Sequence, residues 1–273
     1  MELGQYQTLT FLRRSPHGAW LGDSDSEVLL PAKEVRPEYT EGQTISAFIY
    51  RDSEDRLTAT VRHPFVTLQH CAWVKVVDVS SAGAWLDWGL DKHLLLPRKE
   101  QGTLLKTGDF VMIMLLLDGQ TDRLYATARL GRHLFPAPAL ATGTKVEALV
   151  WKAHERGWTV IVNHSWQGML FFPQSRDLKP GMKVEAFVTL RREDGRLDLS
   201  RTPQGFEDRN AYAIEKLLSA LKKAGGHLPL TDQSTPEAVE NALGLSKRAF
   251  KQACGTLFRE KVIRLEPDGI YLR

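Results

Sequence analysis

The chain has 273 residues, 42% of them apolar and 25% charged, with a formal net charge of +3. That balance describes a soluble, globular chain with room for two to four compact domains, and it excludes a low-complexity or collagen-like polymer. Apolar runs fall short of the ~18 residues a membrane helix needs, Met1-Glu2-Leu3-Gly4-Gln5 lacks a secretory profile, and Cys71 and Cys254 have neither CxxC spacing nor the density of a disulfide scaffold; a cytoplasmic setting without membrane contact is expected.

From the amino end, three stretches repeat one pattern. A Gly opens a strand, an apolar pair is closed by Pro, a second Gly precedes an alternating strand, and Arg-Leu enters a final strand. The landmarks are Gly18, Leu29-Leu30-Pro31, Gly42 and Arg56-Leu57; then Gly83, Leu95-Leu96-Pro97, Gly108 and Arg123-Leu124; then Gly157, Phe171-Phe172-Pro173, Gly181 and Arg196-Leu197. A period of about 65 to 75 residues exceeds a solenoid unit and suffices for a small barrel with its own core.

Within each repeat apolar residues alternate, as in Thr44-Ile45-Ser46-Ala47-Phe48-Ile49-Tyr50, Lys75-Val76-Val77-Asp78-Val79 and Lys183-Val184-Glu185-Ala186-Phe187-Val188. Period two in short runs between turn residues predicts half-buried strands. Arg51-Asp52-Ser53-Glu54-Asp55, Asp118-Gly119-Gln120-Thr121-Asp122 and Glu193-Asp194-Gly195 read as polar hairpin tips. About five strands per repeat, closed on themselves, describe a barrel of the OB type.

Composition shifts at His63-Pro64, Phe135-Pro136-Ala137-Pro138 and Thr202-Pro203-Gln204-Gly205 read as linkers. Beyond them the period changes to helical. Ile214, Leu217, Leu218 and Leu221 share a face of a helix over 210–224 that Gly225-Gly226 stops. A second helix is expected from Ser234-Thr235-Pro236-Glu237, with Ser234 and Glu237 at capping-box spacing, to Gly244. A third runs from Ser246 to about Lys261, followed by a hairpin of Val262-Ile263-Arg264-Leu265 and Gly269-Ile270-Tyr271-Leu272. Three helices and a terminal hairpin predict a winged helix-turn-helix. The expected fold is thus multidomain and mainly β: three tandem five-stranded OB-fold barrels over 1–64, 65–140 and 141–206, then a small α+β winged helix over 207–273.

The repeats resemble S1-type RNA-binding domains, through Gly18-Ala19-Trp20-Leu21 with Asp52…Arg56-Leu57-Thr58-Ala59-Thr60, and Gly83-Ala84-Trp85-Leu86 with Asp118…Arg123-Leu124-Tyr125-Ala126-Thr127. The whole chain resembles the conserved virulence factor B family of bacterial RNA-binding proteins. Ala84-Trp85-Leu86-Asp87-Trp88-Gly89-Leu90, Leu228-Pro229-Leu230-Thr231-Asp232 and Gly244-Leu245-Ser246-Lys247-Arg248-Ala249-Phe250-Lys251 carry that resemblance. It implies RNA binding and a post-transcriptional role in gene regulation. Two departures stand out. Many S1 domains place a His where this chain has Pro31, Pro97 and Pro173. In the third repeat Trp158 comes one position early, with Thr159 in the aromatic slot, so either the alignment slips or that barrel presents a different surface.

OB-type barrels bind single strands by pairing cations along the backbone with aromatic faces on which bases stack. The candidates are Trp20, Tyr50 and Arg56 in the first repeat, Trp85, Arg123 and Arg129 in the second, and Trp158, Arg191, Arg192 and Arg196 in the third. Two readings stand for each: the Trp rings either stack bases or plug barrels, and Arg56, Arg123 and Arg196 either meet phosphates or pair with turn acids such as Asp52 and Asp118. Trp88 and Trp166 belong to a core or a loop. In the third helix, Lys247, Arg248 and Lys251 are candidates for nucleic-acid contact.

Counted by repeat, net charge runs −3, +1, +3 and +2 toward the carboxyl end, so a polyanion should feel the later segments most. No P-loop, HExxH, GxSxG or zinc spacing is present, so neither catalysis nor a cofactor or metal is expected. The function expected is binding of single-stranded or loosely structured RNA by a monomer, with weak sequence preference. The rivals are a DNA-binding transcription regulator acting through the winged helix, and an interaction scaffold for a ribosome or nuclease.

Overall fold

The computed structural model describes residues 1–23, 25–171, 175, 177–203 and 206–273, the side chains of 206–208 excepted. Phe172-Pro173 of the third repeat and Gln204-Gly205 of the last linker therefore lie outside the described residues. In the first repeat, β1 (Tyr6–Ser15), β2 (Gly18–Gly22), β3 (Glu27–Pro31), β4 (Thr44–Arg51) and β5 (Leu57–Thr60) close into a barrel of order β1-β2-β3-β5-β4. In the second, β6 (Cys71–Val79), β7 (Gly83–Asp87), β8 (Leu94–Pro97), β9 (Phe110–Asp118) and β10 (Arg123–Thr127) form a sheet of order β10-β9-β6-β7-β8. The third comprises β11 (Lys145–His154), β12 (Gly157–Val162), β13 (Trp166–Phe171), β14 (Lys183–Arg191) and β15 (Leu197–Ser200), closed in the order of the first.

The middle repeat is thus a correction to three closed barrels. In the first barrel the seam is one parallel pair, Leu29 with Thr58. The corresponding positions of the second sheet hold Leu95 and Tyr125, and its β8 and β10 edges are not joined by backbone hydrogen bonds. A half-buried phenol stands where the first barrel has a Thr that is 4% exposed.

The repeated glycines have one backbone cause each. Gly18, Gly83 and Gly157 sit at φ of +145°, +153° and +154°, where an added Cβ would lie 2.0, 2.2 and 2.0 Å from the carbonyl oxygens of Leu30, Leu96 and Leu170. Only a residue without Cβ lets these strands approach so closely. The second glycines answer a bulge. β1, β6 and β11 each skip one residue, at Phe11/Arg13, Val76/Asp78 and Val150/Lys152, and the carbonyls of Phe11, Val76 and Val150 accept from the N–H of Gly42, Gly108 and Gly181. All three have positive φ. The Thr that ends the first two repeats is equally specific: Thr60 and Thr127 donate their hydroxyls to Glu34 and Glu100 at 2.6 and 2.7 Å.

By contacts the chain forms two compact units, one of 1–138, 147–184 and 192–197, the other of 139–146, 185–191 and 198–273; the third barrel gives strands to both. Within the first unit the repeats are fused rather than strung on loose linkers. Phe48 and Tyr50 of β4 join the core of the second sheet, and His63-Pro64 leads into Phe65, whose N–H donates to Trp88 O at 2.8 Å. Leu149 and Ile161 of the third barrel pack with Cys71, Met112, Met114 and Leu130. There His70 and His164 stack with ring centroids 4.4 Å apart, and His164 Nδ1 accepts from the Cys71 N–H at 3.1 Å.

In the second unit, α1 (Phe206–Lys223), β16 (His227–Leu228), α2 (Pro236–Leu243), α3 (Lys247–Arg259), β17 (Ile263–Glu266) and β18 (Gly269–Leu272) build the winged helix, with a sheet of order β16-β18-β17. Leu217, Leu221, Val239, Phe250, Leu257 and Ile270 fill its core. One cap differs from the sequence reading. Thr235, not Ser234, caps α2 by accepting from the Ala238 N–H, and Ser234 instead accepts from the Thr231 N–H. Pro236 at the first helical position fixes that frame, because its ring suits N1 and its missing N–H is no loss there.

Candidate nucleic-acid interface

The three β-meanders β1–β3, β6–β8 and β11–β13 place equivalent residues at the middle of their second strands. Trp20 and Trp85 are half-buried between fully buried neighbours, so their rings lie on the outer face, opposite Leu29 and Leu95 respectively. Around Trp85 the second sheet and the tip of the first barrel's β4–β5 hairpin enclose a groove of about 780 Å³. Its apolar side is Trp85, Leu95, Pro97 and Tyr125; its cations are Arg51, Lys92, Lys99 and Arg123, against the carboxylates of Asp55 and Asp118. Aromatic rings beside an excess of cations are what an unpaired polynucleotide needs.

The hairpin tip is fastened by charge. Arg123 donates to Asp55 at 2.9 and 3.3 Å, holding that carboxyl below its ordinary range. Arg51 donates to Asp122 O at 3.0 Å, and Lys92 donates to Asp52 O at 2.6 Å. The sequence leaves Arg123 between phosphate contact and pairing with its own turn acids; the partner comes from the neighbouring barrel. Arg56 does pair locally, donating to Asp52 at 2.9 and 2.7 Å and lying 2.8 Å from Glu54. Arg129 donates to Lys99 O at 2.6 Å.

Tyr50 is placed differently from expectation. Its side chain is buried, edge-on to Trp88 at 6.4 Å, and burial pushes its hydroxyl up to about 12. It borders the groove as part of the shared core rather than as an open stacking face. The reason is its register: β4 runs buried from Ala47 to Tyr50 because both faces are covered, one by its own barrel and one by the second sheet. Trp20 is flanked by Arg13, whose guanidinium lies 5.4 Å from its ring and pairs with Glu27 at 2.8 and 2.7 Å.

In the third barrel the alignment does not slip. Gly157 has the backbone geometry of Gly18 and Gly83, so Trp158 occupies the place of Ala19 and Ala84, and Thr159 that of the two tryptophans. Trp158 turns to the other face and donates Nε1–H to Ser175 O at 2.9 Å. Thr159 lines a separate pocket of about 340 Å³ with Arg156, Arg192 and Arg196. Arg196 also lies 3.4 Å from Asp194, and Arg191 is exposed at the end of β14.

In the winged helix, Ser246 caps α3 by accepting from the Ala249 N–H. That sets Lys247, Arg248 and Lys251 in the first turns, with Arg248 and Lys251 exposed and Lys247 partly so. The groove residues the sequence reading missed are Arg51, Lys92, Lys99 and Tyr125. Tyr125 was within reach, since it stands as a ring where the first repeat has Thr58 and the third Asp198; Arg51 and Lys92 become visible only once two barrels share a wall.

Comparison with known proteins bears on both ends of the chain. The S1 domain model matches residues 3–62, which contain β1 to β5, and the CvfB-like winged helix domain model matches residues 215–272. Bacillus subtilis (strain 168) YitL is 26% identical over 282 residues, covering 99% of this chain and 94% of the relative. Conserved virulence factor B of Staphylococcus epidermidis is 27% identical over 285 residues, 100% of this chain and 92% of the relative. Along its whole length the chain is similar to conserved virulence factor B. A solved multidomain protein with nucleic acid binding domains from Streptococcus pneumoniae TIGR4 covers 99% of this chain and 98% of its own, at 25% identity and a TM-score of 0.43. The S1 domain supports nucleic-acid binding. Among the described residues no helix is long and apolar enough to cross a membrane.

Proposed function

We propose that this protein binds single-stranded or loosely structured RNA with weak sequence preference, as a post-transcriptional regulator. The observation that carries the reading is the groove of about 780 Å³ in which Trp85 and Tyr125 lie beside Arg51, Lys92, Lys99 and Arg123. Ring faces accept any base, so they give affinity without a code, and the cations follow the phosphates. A duplex offers the rings no unpaired base. Fusion of the repeats in the first unit holds the groove walls in place before binding and lowers the ordering cost.

Titration of labelled single-stranded RNA and duplex DNA into the intact chain tests this. Single-stranded RNA should bind, weaken steeply with salt, and depend little on sequence. Tight duplex-DNA binding without single-strand affinity would overturn it. That second outcome favours the winged helix instead, where the capped start of α3 displays Lys247, Arg248 and Lys251; substitution of those three by Ala should then abolish binding.

A further inference from the structure

We infer that the third barrel carries a pocket for a phosphate monoester, the free end of an RNA strand. The inference deepens the RNA-binding reading and rests on it for the remainder of the strand. The pocket stands where the other repeats have a tryptophan. Trp20 pairs across β1 with Arg13, and Trp85 across β6 with Asp78; in the third barrel the equivalent cross-strand pair is Thr159 with Lys152. Because Trp158 faces the other way, the outer face at this point has a hydroxyl-bearing side chain in place of an indole. The opening that results, about 340 Å³, is lined by Arg156, Arg192 and Arg196, with Gln167 and Thr159 as polar neighbours and Glu155 as the one carboxylate.

These features select a ligand. The one ring in the lining is the imidazole of His154, a smaller stacking face than the indoles of Trp20 and Trp85 in the other repeats, so an internal nucleotide gains less here. A monoester end carries close to two negative charges and three terminal oxygens, against one charge and two such oxygens on an internal diester. Guanidinium groups bind such a fork of oxygens through paired N–H donors. Three of them, with Glu155 in the lining and Asp194 3.4 Å from Arg196, outnumber those two carboxylates and favour the end of a strand over its middle. The size fits a phosphate with its sugar.

The test uses the intact chain and one short single-stranded RNA made with a 5′-phosphate, a 3′-phosphate or hydroxyls at both ends, with inorganic phosphate as competitor. One phosphorylated form should bind about tenfold tighter than the hydroxyl form, the favoured end identifying the source, and inorganic phosphate should erode the difference. The ratio should fall to about one in Arg156→Ala and in Thr159→Trp, which fills the opening; thermal unfolding checks that each variant is folded. Equal affinity for all three ends, or a preference that survives Arg156→Ala, overturns the pocket while leaving RNA binding intact. Failure of every RNA to bind overturns the wider reading as well.

Discussion

Trp85 and Trp88 lie on one stretch of chain and should fail in opposite ways when truncated. Trp85 is half-buried on the groove wall, and its Nε1–H donates to Ser80 Oγ at 3.3 Å. Trp88 is 2% exposed, donates to Lys92 O at 2.6 Å, and meets Phe48 and Tyr50 edge-on at 5.8 and 6.4 Å. Trp85→Ala removes one stacking platform, ~1–3 kcal/mol of binding, so Kd should rise about 5- to 150-fold. Its stability cost is limited to a partly exposed ring and one long hydrogen bond, about 1–2 kcal/mol. Trp88→Ala opens the shared core of two repeats and should cost about 3–5 kcal/mol of stability. Fluorescence anisotropy with a labelled oligoribonucleotide gives Kd, and denaturant unfolding gives stability. A folded Trp85→Ala protein whose Kd stays within about twofold of the parent would refute the assignment of Trp85 to the binding face.

Three further outcomes follow from the same geometry. Asp55→Asn removes a carboxylate from the groove and releases Arg123; RNA affinity at low salt should rise about two- to fivefold, while loss of the tie to the first barrel lowers the unfolding midpoint, and weaker RNA binding would contradict this. Gly83→Ala would set a Cβ 2.2 Å from Leu96 O at φ +153°, so it should destabilise by more than about 2 kcal/mol and lower the melting temperature by at least about 4 °C. His164 is held below its ordinary 6.5 by burial, then by His70 and Lys183, with Glu147 opposing; His70 is lowered by burial, then by Lys183. A depressed base is neutral in the native state while the unfolded chain takes up the proton first. Stability should therefore fall as pH drops below about 6.5 and level off once the native imidazoles also titrate; denaturant midpoints from neutral to mildly acid pH check it, and a flat profile would contradict it.

Much of the architecture is written locally. Alternation in Thr44–Tyr50, the glycines at 18, 83 and 157, and the Gly244 helix stop, with φ of +65°, are decided by neighbours within a few residues, so they can be read from sequence. The sequence leaves the place of Thr159 open between a slipped alignment and a different surface until the backbone of Gly157 fixes the frame. What escapes is set by packing between repeats. Tyr50 looks like a surface ring on an alternating strand until the second sheet covers it. Arg123 reads from sequence as either a phosphate contact or a partner of Asp118, until Asp55 of the first barrel lies 2.9 Å away. The open seam at Tyr125 depends on a cross-strand pair far apart in sequence, which no local pattern reports.

Photocrosslinking a thiouridine-substituted single-stranded RNA to the intact chain, followed by peptide mapping, tests the groove most directly. The account predicts adducts on the segments that carry Trp85 and Tyr125, facing the Arg51 hairpin. Adducts confined to the winged helix, with none on β7 or β10, would contradict it.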